Sequence, residues 1–417
     1  QRLDQPYIRK DGRLQPATWD EALAAAAAAL RSARPERIGA LAGDLAGAEE
    51  MFALKELMGR LGSSSIDCRQ MGEALDPALG RASYLFNGTI EGIDQADAIM
   101  IVGSNPRLEA PVLNARIRKR WRQGGLLVGV IGEKADLTYK YEHLGNGPEA
   151  LAQFASHAPA AKQKPLLIVG MGAVARPDGA AVLAMAAKAA LAQGVVKDGW
   201  NGFSVLHTAA SRVAGLDLGF VPGAGGKGAA AIAAAGGMDV VYSLGADEID
   251  IAPGAFVVYQ GSHGDRGAHR ADVILPGSAY TEKSATYVNT EGRAQMTARA
   301  GFAPGQAKDD WAIIRALSAS VGNTLPYDTL QALRAAMYRT SPVLARLDRV
   351  EKASVEGVEA LVARGGAPAS APFASPVRDF YLTNPIARAS AVMAELSALK
   401  AMASGAGASR ATVRAAE

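Results

Sequence analysis

A single cysteine, Cys68, stands among 417 residues. No disulfide can close within such a chain, which fits a reducing compartment. Nor can several of its own cysteines hold an iron–sulfur cluster or a zinc ion. Histidine is sparse too, at positions 143, 157, 207, 263 and 269. His263 and His269 share the glycine-rich run Gly261–Arg270, but their spacing fits no standard metal motif and predicts a hydrogen-bonded loop. Net charge is only +3, which lacks the basic excess of a nucleic-acid binder. Long apolar runs are missing. The alanine-rich stretch Ala22–Leu30 lies between Glu21 and Arg31 and is too short for a bilayer. The chain should be soluble or peripheral. There is no secretory signal, and Gln1 in place of an initiator methionine predicts a processed or partial product. Serine-elbow, zincin and Walker motifs are absent. Gly223–Gly228 is glycine-rich with a lysine but lacks the phosphate-cradling order, and reads as a mobile loop.

What is present is ample apolar material. The hydrophobic fraction is 49% and mean hydropathy +0.05, enough for two or three domains. Thr18-Trp-Asp-Glu21 is a capping box and opens a helix to about Ala33. Arg37–Leu41 reads as a strand, followed by a helix from about Ala46 to Gly59. Ala98–Val102 is a continuous apolar run ending in Gly103-Ser-Asn-Pro106. A helix from about Ala110 to Gln123 and the strand Leu126–Ile131 follow, making a unit whose crossover should be right-handed. Pro165–Gly170, Val240–Gly245 and Ala255–Gln260 are further strands. Helices are expected at about Asp178–Gln193, Asp309–Val321 and Tyr327–Met337. Gly365–Pro376 is linker-like and cannot be a regular element. Thr383-Asn-Pro385 then caps a helix from about Ile386 to Met402. The stretch from Ala403 reads as a disordered tail.

Ala271–Leu275 is apolar enough to be covered on both faces, and Pro276 stops it. The polar turn that follows leads through Tyr287 and Val288 into a hairpin at Asn289-Thr-Glu-Gly292. The whole string from Ala271 to Arg293 resembles a signature of the molybdopterin oxidoreductase superfamily. It is more similar still to the large, G-type iron–sulfur subunit of respiratory complex I. Asp67–Gln70, Asp76–Ile90, Gly103–Trp121, Val221–Gly223, Tyr259–Gly261, Asp309–Leu317, Thr324–Asp328 and Asp379–Ser390 resemble the same large subunit. The likeness therefore covers nearly the whole chain.

The candidate sites weigh against catalysis. The Gly103 turn sits at the end of a parallel strand, where open α/β sheets bind ligands and a following helix offers free N–H groups. In catalytic relatives the corresponding strand end helps hold the nucleotide of the pterin cofactor; a tight packing turn explains the glycine as well. Those relatives carry Asp-Pro-Arg after the next strand, whereas this chain has Gly132-Glu133-Lys134-Ala135-Asp136. The one soft candidate for a molybdenum ligand is Cys68, whose pKa Arg69 would lower; a small buried hydrophobe is the plainer role. Arg116, Arg118, Lys119, Arg120 and Arg122 read as a solvated helix face, with Ile117 and Trp121 turned to the core. Glu282 and Glu291 should bond backbone groups and Lys283 or Arg293 rather than act as an acid–base pair. No catalytic, cofactor-binding or metal-ligating residue is assigned.

The resemblance implies an α/β, molybdopterin-oxidoreductase-like fold of layered sheets with flanking helices and an inserted Rossmann-like unit. The expected division is residues 1–67 with 162–345 as one discontinuous domain, 68–161 as the insert, and 346–417 as linker and docking tail. It implies a structural, non-catalytic region of an NADH:quinone oxidoreductase subunit that braces the iron–sulfur chain. No cofactor is expected in this chain. Iron–sulfur clusters belong to the family subunit's N-terminal part, which is absent here, and FMN to a partner. Partners would be the flavin, NADH-binding subunit and the iron–sulfur and quinone-proximal subunits of the peripheral arm, with no nucleic acid and no direct membrane insertion. The place implied is the cytoplasmic side of a bacterial inner membrane, or else the matrix side of the mitochondrial one. Two rival readings remain: a molybdopterin-dependent oxidoreductase with a live pterin site, and a stand-alone nucleotide-binding module built on the Gly103 turn.

Overall fold

The computed structural model describes residues 2–157 and 162–403; the tail beyond Ala403 lies outside them. Two sheets carry the fold. The first is built from β1 (Tyr7–Lys10), β2 (Arg13–Pro16), β3 (Ile38–Ala42), β4 (Ser65–Asp67), β12 (Val240–Leu244), β13 (Phe256–Gly261) and β14 (Val273–Pro276). These seven strands lie in the order β2-β1-β14-β13-β12-β3-β4. From β14 to β4 all neighbours are parallel, and the β1–β2 hairpin adds antiparallel at one edge. The second sheet is built from β5 (Ala98–Val102), β6 (Leu127–Ile131), β7 (Glu142–Gly145), β8 (Pro165–Gly170) and β11 (Phe203–Leu206). It is fully parallel, in the order β11-β8-β5-β6-β7. A short hairpin, β9 (Val196–Lys197) with β10 (Trp200–Asn201), precedes β11. Another, β15 (Thr286–Val288) with β16 (Ala294–Met296), is the hairpin expected at Tyr287.

The sequence explains the layering. β3, β8 and β12 are buried at every residue, as parallel strands covered on both faces must be. One large core lies between the sheets and joins Leu54, Tyr242 and Leu275 of the first unit to Val102, Leu167 and Phe203 of the second. Smaller cores cover the outer faces, around Ile99 and Ile117 in one case and Val257 and Ile274 in the other.

Three expectations change. The second sheet does not end at residue 161. β8 pairs with β5 from Ala98↔Pro165 onward, and β11 pairs with β8, because β5 is apolar enough to need a strand on each side. The terminal helix is two helices, Pro385–Arg388 and Ala391–Ala403. Ser390 breaks it by accepting from the Met393 amide at 3.4 Å, the local bond that favours serine at helix starts. The run Gly365–Pro376 is irregular as expected, yet Phe373 within it is fully buried. The capping box and the N-cap hold: Thr18 and Glu21 satisfy each other, and Asn384 accepts from the Ala387 amide with Pro385 in the first turn.

Candidate functional site

Each sheet has one place where winding reverses. The second runs from β5 outward through β6 to β7, then from β8 to β11 on the other side, so its switch point lies between β5 and β8. In the first sheet the switch lies between β3 and β12. Loops leaving such neighbours part to opposite faces and open a crevice at the strands' carboxyl ends.

Glycine is obligatory at both. A Cβ on Gly43, just past β3, would lie 1.7 Å from the Gly245 carbonyl oxygen. Gly103, just past β5, has φ +62°, and a Cβ there would come within 2.6 Å of Ala173. Beyond Gly103, two of the N–H groups expected to await an anion are already used: the Arg107 amide donates to Asn105 Oδ1 at 3.2 Å, and the Asn105 amide to Glu109. Glu109 accepts from the Asn105 amide at 2.8 Å and from Ser104 Oγ at 2.7 Å. The helix that follows directly is a four-residue turn, Pro106–Glu109. A carboxylate of the chain itself supplies the negative charge there. Asp136, in the stretch that replaces Asp-Pro-Arg, faces outward and pairs with Arg107 at 2.6 Å.

At the first switch point the buried cation is held by two carboxylates of the same chain. Lys283 Nζ lies 2.5 Å from Glu50 and 2.7 Å from Asp310. Burial works against its charge, but the two carboxylates outweigh that and hold the ammonium protonated. Gln260 donates to Asp310 at 2.8 Å and also bonds Tyr242. Asp247 accepts from Tyr259 Oη at 2.9 Å and the Gly267 amide at 3.0 Å, and burial pushes its carboxyl up to about 6. The space left over, between Glu50, Asp247, Lys283, Pro385 and Ile386, is about 50 Å³. A larger pocket of about 870 Å³ opens at the opposite, amino ends of β5, β6 and β8, beside Ala98, Leu127 and Pro165.

Cys68 follows directly on β4 and is fully buried. Its Sγ would stand 2.7 Å from a Cβ on Gly215. Burial pushes the thiol up to about 12; Arg69 lowers it, as expected, but is outweighed. Arg69 also pairs with Asp67 at 2.8 Å. Beside Cys68 lies a cluster the sequence did not signal. Arg212, 1% exposed, pairs with Glu73 at 2.7 Å and Asp44 at 3.1 Å, while Gln70 donates to Asp44 at 2.7 Å. The four residues are spread over Asp44 to Arg212, with no spacing motif to reveal them.

The other sequence candidates fall as follows. Glu291 accepts from the Ile90 amide and pairs with Arg293, as expected. Glu282 accepts from the Ala279 amide but pairs with Arg2 rather than Lys283. On the basic helix Ile117 is buried and Trp121 packs beside it. Arg116 pairs with Asp94, and Arg118 and Arg120 donate to backbone carbonyls. His263 Nδ1 lies 3.0 Å from Ser262 Oγ. Among the described residues no three His, Cys, Asp or Glu side chains are placed to hold a metal ion.

The fold's implied guest is a molybdenum–pterin group, and the residues present do not fit it. The only thiol is fully buried beside the Arg212–Glu73 pair, the Asn105 amide and Ser104 hydroxyl after Gly103 are spent on Glu109, and the first crevice retains about 50 Å³.

Comparison with known proteins agrees with the fold. Residues 2–320 match the molybdopterin oxidoreductase family, and residues 349–396 match the C-terminal module of the G-type subunit of NADH-ubiquinone oxidoreductase. The 78 kDa subunit of mitochondrial NADH-ubiquinone oxidoreductase from Neurospora crassa is 41% identical over 96% of the chain. NADH dehydrogenase iron-sulfur protein 1 from Solanum tuberosum is 42% identical over 96%. The G-type subunit of NADH-quinone oxidoreductase from Rickettsia bellii is 40% identical over 94%. The chain spans 55%, 54% and 57% of those relatives' lengths. Two solved structures share the fold at low identity. Acetylene hydratase from Pelobacter acetylenicus is 13% identical with TM-score 0.51, covering 77% of this chain and 62% of that one. A chain of the formyltransferase/hydrolase complex from Methylorubrum extorquens is 19% identical with TM-score 0.55, covering 76% and 98%.

Proposed function

The chain belongs to the molybdopterin oxidoreductase family, and we propose that it is the structural, non-catalytic region of the large, G-type iron–sulfur subunit of an NADH–quinone oxidoreductase. Its contribution to electron transfer is mechanical: it braces the cluster-bearing part of that subunit by packing and passes no electrons itself. The observation that carries this reading is that the buried cations of the crevices are already engaged by the chain's own carboxylates. Lys283 and Arg212 are spent on carboxylates of the same chain, and Glu109 on its own turn. A catalytic site keeps such groups poised for a substrate.

Relatives at 40–42% identity over almost the whole chain support the assignment to this enzyme. We assign no cofactor to this chain and place iron–sulfur clusters and FMN in other parts of the enzyme. Its neighbours would be the flavin subunit and the iron–sulfur and quinone-proximal subunits of the peripheral arm. No helix of the described residues is long and apolar enough to cross a membrane; on this reading the chain is peripheral, on the cytoplasmic face in a bacterium or the matrix face in a mitochondrion.

The test separates assembly from turnover. Asp247→Asn and Tyr259→Phe alter the crevice without emptying it. The reading predicts that NADH:quinone activity per assembled complex stays within about twofold of wild type, even where the amount of complex falls. A loss of about a hundredfold per assembled complex, the scale of a removed acid–base group, would show the crevice to be catalytic.

A further inference from the structure

We propose that residues 369–390 are a built-in occupant of the crevice, a strap that takes the place a ligand holds in this fold and ties the strand ends of both sheets together. Composition suggests a loose linker, but the contacts are those of a seated ligand. Over the second sheet, the Ala369 amide donates to Asp178 at 2.7 Å and Arg176 donates to the Ala371 carbonyl at 3.0 Å. Phe373 is fully buried under the Arg176 guanidinium, 5.2 Å from its ring, and its amide donates to Asn146, just past β7, at 2.7 Å. At the switch point itself, a Cβ on Gly172 would lie 2.3 Å from the Ala374 carbonyl oxygen, so a glycine there is what lets the strap sit down. Ser375 Oγ then donates at 2.7 Å to Glu109, the carboxylate that fills the Gly103 turn.

The strap continues to the first sheet. Pro385 and Ile386 line what remains of that crevice. Arg388 donates at 2.6 Å to Glu248, which follows β12, and at 2.7 Å to Asp265, which follows β13. One continuous segment thus meets the carboxyl ends of strands in both sheets, at both reversals of winding. Ligands of open α/β sheets bind at such reversals. A fully buried aromatic at one end and a doubly paired arginine at the other are the features expected of a bound group, since each is costly to leave unmatched. The inference concerns contacts within the chain and stands whether or not the enzyme assignment does.

Hydrogen exchange on the intact chain tests it. In the wild type the Phe373 amide and the turn at Asn384–Ser390 should exchange at least about tenfold slower than an unstructured chain, the mark of local structure. The double variant Phe373→Ala with Arg388→Met should lose that protection. Exchange should also quicken at residues 103–105, 172, 247–248 and 265–267, while the interiors of β5 and β12 stay protected. Free-chain exchange of residues 369–390 in the wild type would overturn the proposal. So would unchanged protection at the strand ends in the double variant. Should that variant unfold as a whole, Ser375→Ala decides by itself: faster exchange at residues 103–109 supports the strap, and no change contradicts it.

Discussion

Arg212 illustrates how a single residue can hold a loop cluster that no local pattern announces. Its guanidinium is fully buried between Glu73 and Asp44. Two carboxylates left without it would face the desolvation cost alone. We expect Arg212→Met to destabilise the fold by about 3–5 kcal/mol, the usual result of breaking a buried pair from one side. Adding Glu73→Gln should recover part of that loss. Equal and additive losses in a double-mutant cycle from denaturant unfolding would refute the coupling. His207 and Asp247 set opposing pH dependences. His207 Nε2 donates to the Tyr84 carbonyl at 2.6 Å, Nδ1 is sealed off, and burial pushes its pKa down to about 4. The unfolded imidazole, near 6.5, binds the proton first. Its contribution is complete above pH 6.5 and is lost as pH falls toward 4. Asp247, raised to about 6, takes up its proton earlier in the fold than in the unfolded chain. It therefore adds stability as pH falls from 6 toward 4. Unfolding midpoints between pH 7 and 5 should drop less steeply in His207→Gln and more steeply in Asp247→Asn; the reverse pattern would show the assignments to be wrong. The pairing of Glu291 with Arg293, two residues on, is legible in the sequence; the contacts of Arg212, His207 and Asp247 are not. Arg212, Glu73 and Asp44 meet across long separations, and such pairs leave no periodic trace.

At the level of elements, strands are the most readable. Ala98–Val102, Val240–Leu244 and Val273–Pro276 are short apolar runs, each preceded by an aspartate and followed by a glycine, and the sheets demand just that. The switch-point glycines follow from the same close packing. Gly43→Ala should destabilise the fold by roughly 3 kcal/mol or more, placing it among the severe single substitutions. The cause is that its methyl would overlap the Gly245 carbonyl. Recovery of a soluble variant with an unchanged melting temperature would contradict the packing account. The strap is not readable. Alanine, glycine, proline and serine are what a free linker contains, and equally what a segment needs to lie flat against strand ends. The terminal helix reads as continuous because Ile386–Met402 has helical composition throughout; Ser390 interrupts it by a local bond that composition cannot reveal. Deleting the chain from Arg378 removes Arg388 from Glu248 and Asp265. We expect it to lower the amount of assembled enzyme more than the activity of what does assemble. Wild-type assembly levels after the deletion, read on native gels, would count against this.

For the whole molecule, the order of several long strings makes the family legible, whereas the limits of the second sheet are not. β8 and β11 are parallel strands, and a parallel strand's partner is chosen by a crossover whose destination the sequence does not encode locally. What the assembled fold presents is a two-sheet scaffold of a cofactor-binding family whose crevices are filled by its own side chains and, on our proposal, its own C-terminal segment. The central claim is that this scaffold no longer hosts a metal–pterin group. The most direct test is elemental analysis for molybdenum, tungsten and iron, on the native assembly and on this chain purified from it. The account predicts iron in the assembly and no molybdenum or tungsten in the chain above background. Stoichiometric molybdenum or tungsten in the chain would contradict it and make Cys68 and the Gly103 turn parts of a working site.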